Sequence, residues 1–337
     1  MKKFKLISVV AAAMLFLGAC GNGNEETTSP DTGEQRESIQ WRMGHLANED
    51  HIWHETSEKF AELVNEKTDG QIEISIFPNN QLGGETDTLN SIKAGTVDLM
   101  ISGETMQNWA PKAALLAVPY AFRDAEHLSN VVSGEIGREI EEEIVEKVGV
   151  TPLFYMERAP RNLTSNEPIS TPEDLSGFRM RVPNVPLFMD AWDTAGARPQ
   201  VMDFNEVFTG LQQGVIHGQE NPVDLIHSGG LYEVQDYVNL TEHVYSWIYV
   251  VIGNDQFADL SEELQQKVLE AAEEAQVYGE QLFEQEIQNY HDLLEELGMT
   301  FNNDVDQDAF REAMQPAIEN TLTEEQFELY ERILAVE

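Results

Sequence analysis

Apolar residues recur along this chain with two alternating periods. Ile72, Ile74 and Ile76 alternate with polar neighbours, which predicts a strand that Pro78 stops. From about residue 54 to 66 the apolar positions fall three and four apart, which predicts an amphipathic helix that ends before Gly70. Strand-like runs follow at residues 97–101 and 153–156. Because strands and helices alternate along the chain, the pattern predicts an α/β fold.

One predicted helix is much longer than the others. The helical period continues from Ser261 to about Leu297, with acidic residues in the first turn and Gly298 just after the last. A helix of this length suits a molecule with two lobes, because it can brace both of them. The alternative is a pair of helices broken near Tyr278 and Gly279.

Two separate segments share one short pattern. Residues 91–99 and 210–218 each contain the end of a helix, a glycine suited to cap it, and the start of a strand. A match over nine residues can arise by chance, but two similar lobes would also leave this pattern in a sequence.

A strand that carries two arginines follows these elements. Met180 and Val182 alternate with Arg179 and Arg181, so the two arginines share the face opposite the apolar side chains, and Pro183 ends the strand. Ligands of open α/β sheets bind beyond the carboxyl ends of strands. Arg181 is therefore predicted to hold a small anion, and the alternative is a salt bridge to one of the many acidic residues of the chain.

The N-terminal sequence has features typical of an exported and lipidated protein. Lysines 2, 3 and 5 precede an apolar run at residues 6–17, which is typical of a secretory signal peptide spanning residues 1–19. Small residues precede Cys20, as in a lipoprotein cleavage site, so we expect Cys20 to be lipidated. Cys20 is also the only cysteine, which excludes an intramolecular disulfide bond. Residues 20–38 are polar and predict a flexible tether.

The charge of the chain limits its partners. With 61 acidic and 20 basic residues, the formal net charge of the 337-residue sequence is −41, which excludes nucleic acid as a partner. The acidic excess indicates either a solvated surface suited to high salt or high external pH, or a surface that stores cations. The sequence contains no nucleophile-elbow, phosphate-loop or zinc-protease motif, so we expect neither an enzyme nor a cofactor.

Several motifs together resemble one family. These are Arg161-Asn162-Leu163-Thr164-Ser165-Asn166, Thr171-Pro172-Glu173-Asp174-Leu175, the Arg179–Asn184 strand end, residues 202–214 and Gly218-Gln219-Glu220-Asn221-Pro222. From about residue 41 to 300 the chain is similar to the solute-binding proteins of tripartite ATP-independent periplasmic (TRAP) transporters, the DctP family.

The resemblance implies a periplasmic-binding-protein-like architecture of two α/β lobes joined by hinge crossings, with the long helix as a brace. Lobe I would comprise residues 39–158 and 247–287, and lobe II residues 159–246 and 288–337. The expected protein is a monomer, extracytoplasmic, attached only by its lipid anchor to the outer face of the cytoplasmic membrane. It would close on a small organic acid anion and deliver it to the membrane subunits of a TRAP transporter.

The resemblance also implies a set of ligand-binding residues. Arg181 would be the carboxylate ligand, and Glu220 would orient Arg181 or Asn221. Lobe II would further contribute Arg161, Asn221, Phe204 and Asn184, and lobe I would contribute His45, Glu85 and Glu104. Candidate ligands are C4-dicarboxylates, uronates, other sugar acids, sialic acid and keto acids, and the N-terminal pattern together with the acidic Glu85 favours a hydroxylated sugar acid.

One alternative function remains open at this point. His45, His51 and His54 lie close together in the sequence among acidic residues, and His51 and His54 could share one face of a helix. Imidazoles in such an arrangement bind zinc, so the alternative is a lipoprotein that captures metal.

Overall fold

The structure, a computed structural model, describes residues 38–337. The predicted signal peptide, Cys20 and nearly all of the predicted tether lie outside the described residues. The strands are β1 Ile39–Gly44, β2 Ile72–Phe77, β3 Leu99–Ser102, β4 Val150–Glu157, β5 Arg161–Ser165, β6 Arg179–Val182, β7 Arg198–Val201, β8 Gly218–Asn221, β9 Tyr237–Val244, β10 Trp247–Gly253 and β11 Thr300–Asn302.

The helices cover the faces of these strands. They are α1 Ile52–Lys67, α2 Glu85–Lys93, α3 Ala125–Val132, α4 Glu135–Glu143, α5 Pro186–Thr194, α6 Phe204–Gln212, α7 Val223–Ser228, α8 Asn254–Ala258, α9 Glu262–Glu296, α10 Gln307–Thr321 and α11 Glu324–Leu334. Shorter 3₁₀ turns include Glu104–Asn108 and Pro111–Ala117. Along residues 38–337, no helix combines the length and the apolar character needed to cross a bilayer.

The strands form two mixed sheets, one in each lobe. The first sheet has the order β2-β1-β3-β10-β4, and the second has the order β11-β9-β5-β8-β6-β7. Strand β10 runs antiparallel to β3 and β4, and β5 runs antiparallel to β8 and β9, whereas the remaining neighbours are parallel. The prediction of two α/β lobes is confirmed.

Two of the places where the chain crosses between the sheets lie side by side. Strand β4 of the first sheet leads through residues 158–160 into β5 of the second, and β9 returns through residues 245–246 to β10. The N–H of Arg158 donates to the carbonyl of Ser246 at 3.2 Å, so the two crossings are bonded to each other. A paired crossing of this kind gives two lobes a common axis of bending.

The long helix α9 spans both lobes, and it is unbroken. Near its middle, Gly279 lies against Thr56 of α1 in the first lobe. Farther along, the ring of Tyr290 lies 5.5 Å from that of His227 in α7 of the second lobe. The bracing helix is confirmed, and the alternative of two helices broken near Tyr278 and Gly279 is wrong.

The C-terminal helix departs from the expected division into lobes. Residues 288–337 were expected in lobe II, but Leu329, Tyr330 and Ile333 of α11 pack into the apolar core of the first lobe. Arg332 pairs with Glu139 of α4 at 2.7 Å. The apolar side of α11 is buried there because α4 and the turn Pro111–Ala117 leave a matching apolar surface.

Candidate ligand-binding site

A polar cleft lies between the lobes, where strands of both sheets end. Its walls come from the ends of β3, β4, β6 and β8, the start of β5, and the first residues of α2 and α6. It encloses about 660 Å³ of empty space, part of which is open to solvent. Seven of the eight predicted ligand-binding residues line it, namely Glu85, Glu104, Arg161, Arg181, Asn184, Phe204 and Asn221.

Arg181 is the arginine of this cleft that has no acidic partner. It lies in β6, where Met180 and Val182 on the opposite face are fully buried, as the alternation predicts. Its Nε donates to the carbonyl of Met202 at 2.7 Å, which fixes the plane of the guanidinium. No acceptor or carboxylate among residues 38–337 binds its two Nη atoms. Burial to 4% exposure lowers the pKa of Arg181 to about 10, so the group stays charged at neutral pH.

This geometry suits the recognition of a carboxylate. A guanidinium held by its Nε leaves one edge for two parallel N–H···O bonds to a planar anion. The ring of Phe204 lies 5.9 Å from the Arg181 Cζ and covers part of this side of the cleft.

Arg161 behaves differently from Arg181. Its Nη2 donates to Oε1 of Glu220 at 2.7 Å and to the Glu220 carbonyl at 2.9 Å, and its Nε donates to Oε2 of the same residue. Glu220 was expected to orient Arg181 or Asn221, but its carboxylate is paired with Arg161 because the two side chains meet between the antiparallel strands β5 and β8. The edge of Arg161 that could grip a ligand carboxylate is therefore occupied.

The pair of Arg161 and Glu220 is fully buried and strongly stabilised as ions. Burial alone would raise the pKa of Glu220, but the charge and hydrogen bonds of Arg161, together with a contact to His243 at 3.1 Å, lower that pKa to about 2. Breaking such a pair by removing one partner leaves an uncompensated charge inside the protein, which is costly.

Glu104 is likewise bound to arginines. Its Oε1 and Oε2 accept hydrogen bonds from Nη1 of Arg158 at 3.0 and 3.2 Å, and its Oε1 lies 3.5 Å from Nη1 of Arg161. Burial alone would raise the pKa of Glu104, but the two arginines lower it overall. Glu104 lines the cleft, and its carboxylate is already neutralised by the protein.

Two other predicted residues provide polar contacts from the first and second lobes. Glu85, the first residue of α2, accepts hydrogen bonds from Ser102 at 2.6 Å and from Thr105 at 2.9 Å. Burial, and secondarily the charge of Glu104, raise the pKa of Glu85. On the other side, the amide of Asn221 donates to Gln219 at 2.6 Å, which orients it at the end of β8.

Asn184 lies at the rim, where the lobes touch. Its Nδ2 lies 3.4 Å from Oγ1 of Thr86 in α2, and its carbonyl accepts a hydrogen bond from Asn108 at 2.9 Å. Both partners belong to the first lobe, so Asn184 joins the two lobes in this conformation in addition to lining the cleft.

His45 does not line the main cleft. It lies against a smaller adjacent cavity, where its Nε2 forms a hydrogen bond with Nδ1 of His54 at 3.0 Å. Burial, followed by the charges of His54 and His51, lowers the pKa of His45 to about 3. The third histidine of the zinc alternative, His51, lies 3.2 Å from Asp224 of the second lobe. Within residues 38–337 no group of three or more metal-ligating side chains converges, so the zinc alternative gains no support there.

Two charged residues that line the cleft, Arg158 and Asp203, are not among the predicted ligand-binding residues. Arg158 lines the cleft, and its guanidinium forms an ion pair with Glu104. The available signal for Arg158 was its position just after the strand-like run at residues 153–156, because ligands bind beyond the carboxyl ends of strands.

The chain has the architecture of a solute-binding protein of the periplasmic type. It has two α/β lobes, a paired crossing between them, and a polar cleft that contains a buried arginine without an acidic partner. Residues 43–325 match the family described as bacterial extracellular solute-binding protein, family 7 (DctP), and the chain belongs to this family.

Known proteins similar to the chain support this assignment. A solute-binding protein of Roseobacter denitrificans is 51% identical over 284 residues, which cover 84% of this chain and 87% of the relative. The 2,3-diketo-L-gulonate-binding periplasmic protein of Escherichia coli K12 is 34% identical over 275 residues, covering 81% and 84%.

Solved structures agree with the fold. The crystal structure of a TRAP periplasmic solute-binding protein from Roseobacter denitrificans with bound L-galactonate has a TM-score of 0.86 at 49% identity, covering 88% of this chain and 98% of the other. A TRAP protein from Xanthobacter autotrophicus with bound β-D-galacturonate has a TM-score of 0.84 at 28% identity, covering 88% and 100%. The predicted periplasmic-binding-protein-like fold and membership of the DctP family are confirmed.

Proposed function

We propose that this protein is a receptor for a hydroxylated sugar acid, which it binds between its lobes through the Arg181 guanidinium. The observation that carries the proposal is the pair of Arg181 Nη atoms, which face the cleft without an acceptor among the described residues, whereas Arg161 and Arg158 are paired with carboxylates. A single unmatched cation in a buried cleft favours a ligand with one carboxylate.

The rest of the lining supports a hydroxylated ligand. Glu85, Asn184 and Asn221 present acceptors and donors in different parts of the cleft, and an amide or carboxyl group can bond to sugar hydroxyls. The similar proteins with bound L-galactonate and β-D-galacturonate hold six-carbon acids of this kind. We therefore place sugar acids and uronates ahead of dicarboxylates.

The proposal includes the cellular role. The receptor would be lipidated at Cys20, tethered as a monomer outside the cytoplasmic membrane, and would deliver its ligand to TRAP membrane subunits without catalysis. Its lobes would follow the two sheets, with α11 added to the first. Ligand contacts with both lobes would favour the closed state, because only that state makes all of them.

The proposal is tested by identifying the ligand and removing the Arg181 fork. We expect mass spectrometry of freshly purified, denatured protein to detect a sugar acid, and calorimetry to detect binding of L-galactonate or D-galacturonate. Arg181→Met should weaken binding at least about 100-fold, because two charge-assisted hydrogen bonds of about 1.5–3 kcal/mol each are lost.

A matched control is available two residues away. The guanidinium of Arg179 donates to the carbonyls of Val215 and Gly214, each at 2.8 Å, and lies outside the cleft. Arg179→Met should therefore leave affinity unchanged. Normal binding by Arg181→Met, or release of a ligand without a carboxylate, would contradict the proposal.

A further inference from the structure

Arg158 lies at the crossing between the lobes and also lines the cleft, and the proposed function assigns it no role. It is the first residue after β4, its backbone bonds to Ser246 in the neighbouring crossing, and its side chain lines the cleft. Only 5% of the residue is exposed. The side chain therefore reaches the ligand space from the point about which the lobes would bend.

The guanidinium of Arg158 is only partly satisfied. Its Nη1 donates to both carboxylate oxygens of Glu104. Its Nε is buried without a hydrogen-bond partner, and Nη2 has no acceptor in the part of the chain that the structure describes. The Cζ atom lies 5.5 Å from the centroid of the Trp53 ring, which is within the distance of a cation–π interaction. Three of its five N–H groups thus lack a partner in a nearly closed environment.

The charges around Arg158 indicate which acceptor would suit it. Arg158 and Arg161 are balanced by Glu104 and Glu220, so these four groups carry no net charge together. The unmatched cation is Arg181, and a ligand carboxylate belongs there. A second carboxylate at Arg158 would lie close to Glu104 and be repelled by it, whereas a hydroxyl or carbonyl oxygen would accept a hydrogen bond without adding charge.

We propose that the unpaired edge of Arg158 donates a hydrogen bond to a hydroxyl or carbonyl oxygen of the bound acid and thereby selects oxygenated acids over deoxygenated ones. This inference rests on the proposed function, because it assigns the carboxylate to Arg181. A site built to bond a ligand oxygen discriminates strongly against the analogue without it, since its own polar group is then left unpaired.

The experiment compares the affinities of wild type and one variant for a parent acid and for analogues that each lack one hydroxyl group. Calorimetry would compare wild type and Arg158→Lys with L-galactonate and its single-deoxy analogues at each carbinol carbon, or with the corresponding D-galacturonate set if that acid binds more tightly. Lysine keeps the ion pair with Glu104 but removes the guanidinium edge. We expect Arg158→Lys to weaken the parent acid about 10- to 100-fold, as for the loss of one hydrogen bond to a charged donor.

The decisive readout is the coupling between the variant and one ligand position. Wild type and Arg158→Lys should bind one deoxy analogue equally well, because that analogue lacks the oxygen that Arg158 contacts. For the other analogues the variant should bind more weakly than wild type. If all ligands weaken by the same factor, Arg158 has only a structural role and the inference is wrong. Arg179→Lys serves as the control for the same substitution outside the cleft, and it should change no affinity.

A second measurement does not depend on the stability of the variant. In a crystal structure of wild type with the parent acid, a ligand oxygen should lie within about 3.2 Å of Arg158 Nη2 or Nε. A ligand whose oxygens all lie beyond hydrogen-bond distance of Arg158 would overturn the inference while leaving the role of Arg181 intact. Wild type that binds neither acid would contradict the proposed function itself.

Discussion

Three arginines in one cleft have three different electrostatic situations. Arg161 is paired along its fork with Glu220, Arg158 is paired at one nitrogen with Glu104, and Arg181 has only a carbonyl on its Nε. Because buried charges are costly unless matched, the two paired arginines are stable in the empty site and the third becomes fully matched only with an anion present. Residue type alone therefore does not distinguish the three arginines, whereas their local pairing favours Arg181 as the proposed carboxylate ligand.

A histidine near the cleft should make the stability of the protein depend on pH. The folded-state pKa of His45 is lowered to about 3 from 6.5, so the unfolded chain binds more protons between these values. The contribution of neutral His45 to the free energy of unfolding is therefore complete above pH 6.5 and is lost as the pH falls toward 3. At about 1.4 kcal/mol per pH unit, roughly 2 kcal/mol should be lost by pH 5. His45→Gln should therefore show a smaller drop in the free energy of unfolding between pH 7 and 5, measured by urea denaturation.

The control for this experiment is His291→Gln, at a partly exposed histidine that stacks on Phe301. Glu104 and Glu220 have lowered pKa values and titrate at more acidic pH. Measurements above pH 5 therefore distinguish the titration of His45 from the titration of these two carboxylates. An unchanged pH dependence in His45→Gln would show that the imidazole is not protonated on unfolding in this range, and the prediction would be wrong.

The sequence predicted single residues well where the local pattern determines their orientation. The face on which Arg181 lies follows from the two-residue period of its own strand, and the burial of Met180 and Val182 confirms this orientation. The partners of Arg161 and Glu104 could not be predicted in the same way, because each lies more than 50 residues away along the chain. Which acid meets which arginine depends on strand order, and a single sequence does not contain that order.

At the scale of elements, the site depends on how closely strands β5 and β8 approach each other. Strand β5 begins with Arg161 and β8 ends with Asn221. Between them Gly218 leaves no room for a side chain, because a Cβ atom there would lie 2.1 Å from the carbonyl oxygen of Thr164. The glycine of the Gly-Gln-Glu-Asn-Pro motif therefore has a packing role that local turn preferences do not reveal.

Gly218→Ala should destabilise the protein by about 2–3 kcal/mol, because the new methyl group meets backbone that must move with the sheet. Urea denaturation measures this loss. The matched control is Gly84→Ala, where the three atoms nearest to the new Cβ atom belong to the carboxylate of Asp203, an exposed side chain that can rotate away. A Gly218→Ala variant as stable as Gly84→Ala would show that β5 and β8 can separate without cost.

The elements themselves illustrate what a pattern can and cannot predict. The predicted helix at 54–66 is α1, Ile52–Lys67, and the predicted strand at 72–76 is β2, Ile72–Phe77. Gly279 suggested a break in α9, since glycine costs about 1 kcal/mol within a helix. The helix continues because Gly279 packs closely on Thr56 of α1, a tertiary contact that offsets the local preference.

At the scale of the molecule, the two lobes share helices that the sequence could not assign. The amphipathic pattern of α11 predicts a buried face but does not specify which lobe covers it, and the structure places Leu329 and Ile333 in the first lobe. The final helix thus returns to the first lobe after α10 has packed on the second, where Phe310 and Met314 contribute to the core.

The net charge of −41 affects both the stability of the whole molecule and its encounter with an anionic ligand. A strongly negative surface repels itself and repels an anionic ligand at long range. Salt shortens the range of both effects, since the screening length falls from about 30 Å at 0.01 M to about 3 Å at 1 M. The cleft arginines act at hydrogen-bond distance, where screening matters least because the groups are buried.

We therefore expect two quantities to rise together between 0.01 and 1 M NaCl. The melting temperature should increase as self-repulsion is screened, and the association rate constant of a sugar acid, measured by stopped-flow fluorescence, should also increase. The second trend is opposite to that of receptors that attract their ligands by long-range charge, whose association slows in salt. KCl should give the same result as NaCl, because screening depends on ionic strength and not on the cation. A melting temperature that stays constant or falls would show that self-repulsion of the acidic surface contributes little, and an association rate that falls would show that the field at the cleft is positive despite the total charge.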